Sequence, residues 1–252
     1  MLEIENVCKQ YLKTDMSIKP IPLQVLDDVS LTIRTGEWMG LIGESGSGKS
    51  TLSRLVLGLE KVDQGKITID GVDIATWRKE NKGKMSVVFQ DYTSSANPNF
   101  KVKDIIKEPL EIYGRKSIDE GIVDELLEKV GLPITMANRY PHELSGGQLQ
   151  RVCIARAIST NPRFIVLDEA ISSLDVSVQT QILELLDYLK ESMEVTCLFI
   201  AHDLQTVTYL CDQVSFLYKG TIVEQVAVEN LANLQSDYAQ KLLDAVIRFD
   251  TE

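Results

Sequence analysis

The chain has 252 residues, room for one large domain or two lobes sharing a core, and its 44% hydrophobic and 25% charged residues are the balance of an ordinary globular protein. Lys and Arg number 26 against 37 Asp and Glu, a formal net charge of -11, which leaves little positive charge for nucleic acid phosphates or an anionic lipid surface. No apolar stretch approaches the roughly 20 residues that span a bilayer, and Met1-Leu2-Glu3-Ile4 lacks the basic-then-apolar pattern of a signal peptide.

The expectation is a soluble, cytoplasmic protein whose membrane link, if any, runs through a protein partner. Alternation in Leu2-Glu3-Ile4-Glu5-Asn6-Val7 and Val29-Ser30-Leu31-Thr32-Ile33 predicts half-buried antiparallel strands. Between them the polar run Lys13 to Pro22, with Pro20 and Pro22, reads as a loop. Trp38-Met39-Gly40-Leu41-Ile42 is an apolar strand running into a Gly-rich stretch, and Ser50 to Leu59 has helical spacing at Leu52, Leu55, Val56 and Leu59. A short hairpin follows at Gly65 to Gly71, with Gly71 in the turn. From Val102 to Val130 the apolar residues Ile105, Ile106, Leu110, Ile122, Leu126, Leu127 and Val130 recur at three-and-four spacing, and Gly131-Leu132-Pro133 closes the segment.

Beyond this helical insertion the pattern returns to alternating elements. They are a helix at Gln148 to Ser159, a strand at Phe164 to Leu167, a helix at Val178 to Lys190, a strand at Thr196 to Ala201, a short helix and a strand at Val214 to Tyr218. Strands alternating with helices predict an α/β fold with a mostly parallel sheet, here with an N-terminal antiparallel β subdomain and an inserted helical subdomain. No internal repeat is visible. Cys8, Cys153, Cys197 and Cys211 form no CxxC pair and have no His at ligand spacing, so buried, reduced thiols are expected.

Three segments carry chemistry. Gly43-Glu44-Ser45-Gly46-Ser47-Gly48-Lys49-Ser50-Thr51 fits G-x-x-x-x-G-K-[ST] between a predicted strand and a predicted helix. Its glycines let backbone N–H groups turn toward phosphate oxygens at a helix N-terminus; Lys49 is placed to bridge β- and γ-phosphates and the Ser50 hydroxyl to ligate Mg²⁺. Phe164-Ile165-Val166-Leu167-Asp168-Glu169 is an apolar strand ending in two carboxylates, Asp168 for magnesium and Glu169 to polarise an attacking water. Taken alone, that strand end reads equally well as a helix cap. Leu144-Ser145-Gly146-Gly147-Gln148 opens a helix with a Ser cap and two glycines, a second place where N–H groups can face an anion. Capping explains Ser145 but not both glycines together with Gln148.

With these segments in this order, the chain resembles the ABC ATPase family over essentially its whole length. Gly43 to Thr51 resembles the Walker A loop, Ser145, Gly146, Gly147 and Gln148 the signature, and Phe164 to Glu169 Walker B with its catalytic glutamate. The resemblance implies a P-loop NTPase fold with a RecA-like core and ATP and Mg²⁺ as cofactors. It implies roles for Gln90 as the Q-loop glutamine on magnesium, Asp175 in the D-loop Ser172-Ser173-Leu174-Asp175, and His202 as the switch histidine. Tyr11 stands where the family stacks an aromatic on adenine, though a packed tyrosine fits as well. His142 is read as structural. On this reading residues 1–252 form one ABC ATPase domain, with 1–90 and 160–252 as catalytic core and about 91–159 as a helical lobe ending in the signature. The signature is expected to act on ATP held by a second subunit.

Within the family the chain is most similar to the oligopeptide, dipeptide and nickel importer branch. The resemblance rests on Asn97-Pro98, Ile105 to Leu110, Arg139-Tyr140-Pro141-His142-Glu143, Asp175 to Gln179 and the C-terminal Asp237 to Leu243, and the Lys13 to Pro22 insertion also suits it. The short end after that helix favours nickel, cobalt or metal–metallophore importers over peptide ones. Such membership implies a second ATPase subunit, with a heterodimer favoured, two transmembrane permeases and an extracellular solute-binding protein. Peripheral attachment at the cytoplasmic face of the cell membrane and no nucleic acid partner go with it. Departures are Ala170-Ile171 for the usual Pro-Thr, Ser173 for Ala, and Asp91-Tyr92-Thr93 without the common proline. Translation factors carry two such domains, DNA-repair members a long coiled coil absent between Lys49 and Asp168, and a non-hydrolysing domain has no need of Glu169 and His202; an exporter subunit is disfavoured only by the branch segments.

Overall fold

Apolar and polar side chains alternate from Leu2, and they build an antiparallel sheet. In the computed structural model, which describes residues 1–13, 21–114, 119, 121–171 and 174–249, β1 (Leu2–Lys13) pairs antiparallel with β2 (Ile21–Ile33), Leu2 opposite Ile33 and Tyr11 opposite Leu23. Both strands run further than the alternation alone indicated. Lys13, Ile21 and Pro22, expected in a loop, belong to strands, while residues 14–20 of that expected loop lie outside the described residues. Pro22 is tolerated because β2 is an edge strand, where the missing N–H breaks no ladder.

Next come β3 (Trp38–Ile42), α1 (Lys49–Val56), the hairpin of β4 (Gln64–Ile69) and β5 (Val72–Asp73), and α2 (Ile74–Glu80). The hairpin turns through Asp70 and Gly71, both at positive φ, as the Asp-Gly pair requires. α1 stops short of the expected Leu59 because Gly58 adopts a φ of +61°. The following stretch holds β6 (Met85–Val88), α3 (Tyr92–Ser95), α4 (Val102–Ile112), α5 (Gly121–Lys129), α6 (Gly146–Ile158), β7 (Phe164–Asp168) and α7 (Val176–Ser192). The chain finishes with β8 (Thr196–Ala201), α8 (Leu204–Leu210), β9 (Gln213–Tyr218), β10 (Thr221–Ala227) and α9 (Asp237–Phe249).

These elements form two compact units, Met1–Glu80 with the chain from Thr196 on, and Asn81–Val195. In the first, one sheet has the order β2-β1-β4-β5, and a second runs β10-β9-β3-β8 with β3 parallel to both β8 and β9. Every residue of β3 and β8 is buried, the continuous apolar pattern of central parallel strands. Gly40 lets α8 lie close on β3, since a Cβ there would come 2.2 Å from Val207 Cγ1. β10, antiparallel to β9, was not anticipated. In the second unit β6 lies parallel to β7, and α4 packs against α6 with Val102, Ile105, Ile106 and Leu110 inward.

All four cysteines are free; Cys153, Cys197 and Cys211 are buried, but Cys8 is only half-buried, on a strand whose polar face is open to solvent. Its sulfur accepts the Asp28 N–H at 3.3 Å.

Candidate functional site

The phosphate-type loop is a turn held from several sides. Strand β3 delivers the chain to Gly43, where a Cβ would stand 2.3 Å from the Leu217 carbonyl oxygen and 2.6 Å from Ser47 Oγ, so only glycine fits. Ser47 N–H donates to the Glu44 carbonyl at 3.1 Å, and Gly220 N–H to the Ser47 carbonyl at 3.0 Å. Gly46 and Gly48 sit at φ +80° and +112°, conformations that L side chains strain to adopt. Gly48 caps α1, so the helix begins at Lys49 with no acidic residue in its first turn, and its positive end faces the loop.

Lys49 is 5% exposed, and its ammonium donates to the carbonyls of Gly43 at 2.6 Å and Glu44 at 3.1 Å. Thr51 is buried, while Ser45, Gly46 and Ser50 are exposed. The buried Ser47 hydroxyl has no hydrogen-bond partner among the described residues. A buried cation, a helix N-terminus and glycines at positive φ together favour a polyanion.

The same unit holds two more of the expected residues. Tyr11 lies on β1, its hydroxyl donating to Glu60, and Lys9 Nζ stands 5.5 Å from its ring centroid. His202 is exposed at the end of β8, immediately before Asp203, whose carboxylate caps α8 by accepting the Thr206 N–H at 2.7 Å.

The second unit holds the rest. Half-buried Asp168 ends β7, and Glu169 beside it is 9% exposed with φ +51°. A non-glycine residue there costs roughly 1–2 kcal/mol, strain of the kind that collects where a side chain has a task. Gln150, fully buried on α6, donates from Nε2 to the Ala170 carbonyl at 2.6 Å and so holds the peptide joining Ala170 to Ile171, one residue past Glu169. Gln90 is exposed, two residues past the end of β6.

Ser145 caps α6 in a reciprocal box: its hydroxyl accepts the Gln148 N–H at 3.3 Å, and Gln148 Oε1 accepts the Ser145 N–H at 3.0 Å. Close packing explains Gly147, whose Cβ would stand 2.5 Å from Val178 Cγ1, and a Cβ on Gly146 would stand 2.7 Å from the Tyr92 hydroxyl. Capping thus accounts for Gln148 as well as Ser145, contrary to the sequence argument, and the glycines have packing reasons of their own. Ser145 and Gly146 nonetheless stay exposed. Asp175, also exposed, begins α7, while Ser172 and Ser173 lie outside the described residues. His142 stacks on Tyr140 with ring centroids 5.6 Å apart, in keeping with a structural part.

Residues 26–172 match the family model described as ABC transporter. The chain belongs to this family. Over 99% of its length it is 42% identical to the whole of a metal-staphylopine import system ATP-binding protein from Staphylococcus aureus strain NCTC 8325. It is 46% identical over 90% of its length to 70% of a putative peptide import ATP-binding protein from Brucella abortus strain 2308. Among solved structures it is similar to a dimeric ATP-binding cassette in a post-hydrolysis state bound to ADP and phosphate, with a TM-score of 0.78, 29% identity, and coverage of 90% of this chain and 99% of that one. The ABC chain is therefore an ATP-binding protein with the P-loop fold and an ATPase of the ABC type.

Three features of this ABC cassette escaped sequence reasoning: the left-handed backbone of Glu169, the Gln150 contact, and a hydrogen bond from Glu44 N–H to the Tyr238 hydroxyl. Only Gln150 left a sequence signal, an amide at an apolar-periodic position of a helix. For Mg²⁺, the described residues hold no cluster of three or more His, Cys, Asp or Glu that could cage a metal.

Proposed function

We propose that this chain is the ATP-hydrolysing subunit of an importer, working beneath two permeases at the cytoplasmic face of the cell membrane. The observation that carries this is end-to-end similarity to the metal-staphylopine import ATPase together with an intact phosphate loop, in which Lys49 is drawn inward by the Gly43 and Glu44 carbonyls. The cargo we favour is nickel, cobalt or a metal–metallophore complex. Oligopeptides or dipeptides are the second choice, supported by the Brucella relative's name.

In this reading Gly43 to Thr51 wraps the phosphates, with Lys49 on the β- and γ-oxygens and Tyr11 against adenine. The Ser50 hydroxyl, Gln90 and Asp168 are the residues that would hold Mg²⁺, which when bound neutralises phosphate charge. Glu169 takes a proton from the attacking water, and its strained backbone fixes the direction of that carboxylate. His202 accepts from the water through one ring nitrogen and donates to phosphate through the other. Ser145, Gly146 and Gly147 face the nucleotide of a second ATPase, and Asp175 belongs to the same dimer face. We favour a related but different chain as that second subunit.

The helical lobe from Lys101 to Val130, with Gln90, is the proposed docking surface for the permeases; exposed Ile112 and Tyr113 within it, and Phe89 and Phe100 just before it in sequence, supply apolar contacts. Among the described residues no helix is long and apolar enough to cross a membrane, so attachment runs through those partners. Co-purification from the native membrane tests the assembly. A second ATPase and two permeases are expected, and recovery of this chain only with copies of itself would overturn the heteromeric importer. Metal uptake measured with and without the gene distinguishes the two cargo classes.

A further inference from the structure

A peptide group is planar and trans, so the carbonyl of one residue and the N–H of the next leave it in opposite directions. The peptide joining Gly43 to Glu44 is gripped on both edges. Its carbonyl accepts from the Lys49 ammonium at 2.6 Å, and its N–H donates to the Tyr238 hydroxyl at 3.0 Å. Rotating that peptide to suit either partner moves the atom presented to the other. Tyr238 comes from α9, 194 residues away in sequence.

The tyrosine is itself fixed. Its ring packs on Tyr218 with centroids 4.3 Å apart and a 30° tilt, and Tyr218 ends β9 only one residue after Leu217, whose carbonyl crowds Gly43. Burial pushes the Tyr238 hydroxyl above its ordinary pKa, so it stays protonated across the working range. Most Walker-type donors turn toward the phosphates, whereas this N–H is turned to a side chain outside the loop.

We infer that Tyr238 is a positioning residue of the nucleotide site, setting through the Gly43–Glu44 peptide where the Lys49 ammonium stands. The inference rests on the reading of Lys49 as a phosphate ligand. It makes the C-terminal helix part of the ATP site without touching ATP.

Tyr238→Phe removes one oxygen and keeps the ring. Titration of the full-length protein with MgATP should give a dissociation constant roughly five-fold weaker than wild type, the worth of one neutral hydrogen bond. The Glu44 amide resonance should move upfield in ¹⁵N–¹H spectra, and the Lys49 ζ-ammonium signal should broaden through faster exchange. Tyr218→Phe, which keeps the ring contact and deletes a hydroxyl elsewhere, should bind as wild type does. A lower melting temperature with unchanged affinity and an unmoved Lys49 signal would make Tyr238 a packing residue and overturn the inference. Failure of the unmodified protein to bind MgATP overturns the phosphate-site reading beneath it, whereas equal affinities of wild type and Tyr238→Phe overturn this inference alone.

Discussion

Replacing Gly43 by alanine tests the phosphate loop with the least chemistry added. Its new methyl would lie 2.3 Å from the Leu217 carbonyl oxygen and 2.6 Å from Ser47 Oγ, against an ordinary contact of about 3.4 Å. The first obstacle is backbone of β9, paired at Leu217 with Ile222 of β10, so about 1 Å of separation must come largely from the loop. Overpacking of this size costs about 1–3 kcal/mol. For a chain of this length that corresponds to a fall in melting temperature of roughly 2–12 °C. The displaced residue is the one whose carbonyl holds Lys49, so ATP affinity should fall together with stability. Thermal melting with and without MgATP, beside calorimetric titration, reads both. A variant with wild-type melting and wild-type affinity would refute the claim that Leu217 and Lys49 fix this turn.

Further outcomes follow from other residues. Glu169→Gln should bind ATP normally and hydrolyse it ~10²–10⁴-fold more slowly, as removal of a general base does; near-normal turnover in single-cycle assays would end that assignment. Gln150→Leu leaves the buried Ala170 carbonyl without its donor, a loss of about 1–2 kcal/mol, and should lower kcat more than it raises KM for ATP; equal melting curves would show the contact to be idle. Asp91, held at a pKa of about 2 first by the Thr93 hydroxyl and then by the Ser94 N–H, has a depressed value against the ordinary 3.8. Its stabilisation of α3 is therefore present above pH 3.8 and lost as pH falls through 2, and a Ser94 amide shift titrating near pH 4 would contradict this. Native-state thiol labelling should modify half-buried Cys8 first and the buried Cys153, Cys197 and Cys211 only on unfolding.

The central strands and the phosphate loop were legible because their signals are local. Five apolar residues in a row must be buried on both faces, and a glycine spacing ending in Lys49 and Ser50 has few other uses. The expected parallel sheet and helical insertion were met on those grounds. Legibility failed where tertiary placement overrides the local pattern. Pro22 reads as a loop residue unless its strand is known to be an edge, and Thr221 to Ala227 alternates too weakly to announce β10. α2, α3 and β6 are too short to hold a period. In the site, Gln148 looked unexplained until its amide was found closing the cap, and Tyr238 could not be connected with Glu44 across the length of the chain.

The reciprocal cap at Ser145 and Gln148 also bears on how fast this end of α6 can be used. The N–H groups of Gly146 and Gly147, in the first turn, have no acceptor within the helix, while that of Gln148 is already satisfied by Ser145. Neighbouring side chains meet both glycines closely, so the backbone has little room to wander. Conformational entropy at this turn is consequently lost during folding. On the proposed reading, the described first turn of α6 needs no reordering of its own backbone to meet a second subunit's nucleotide.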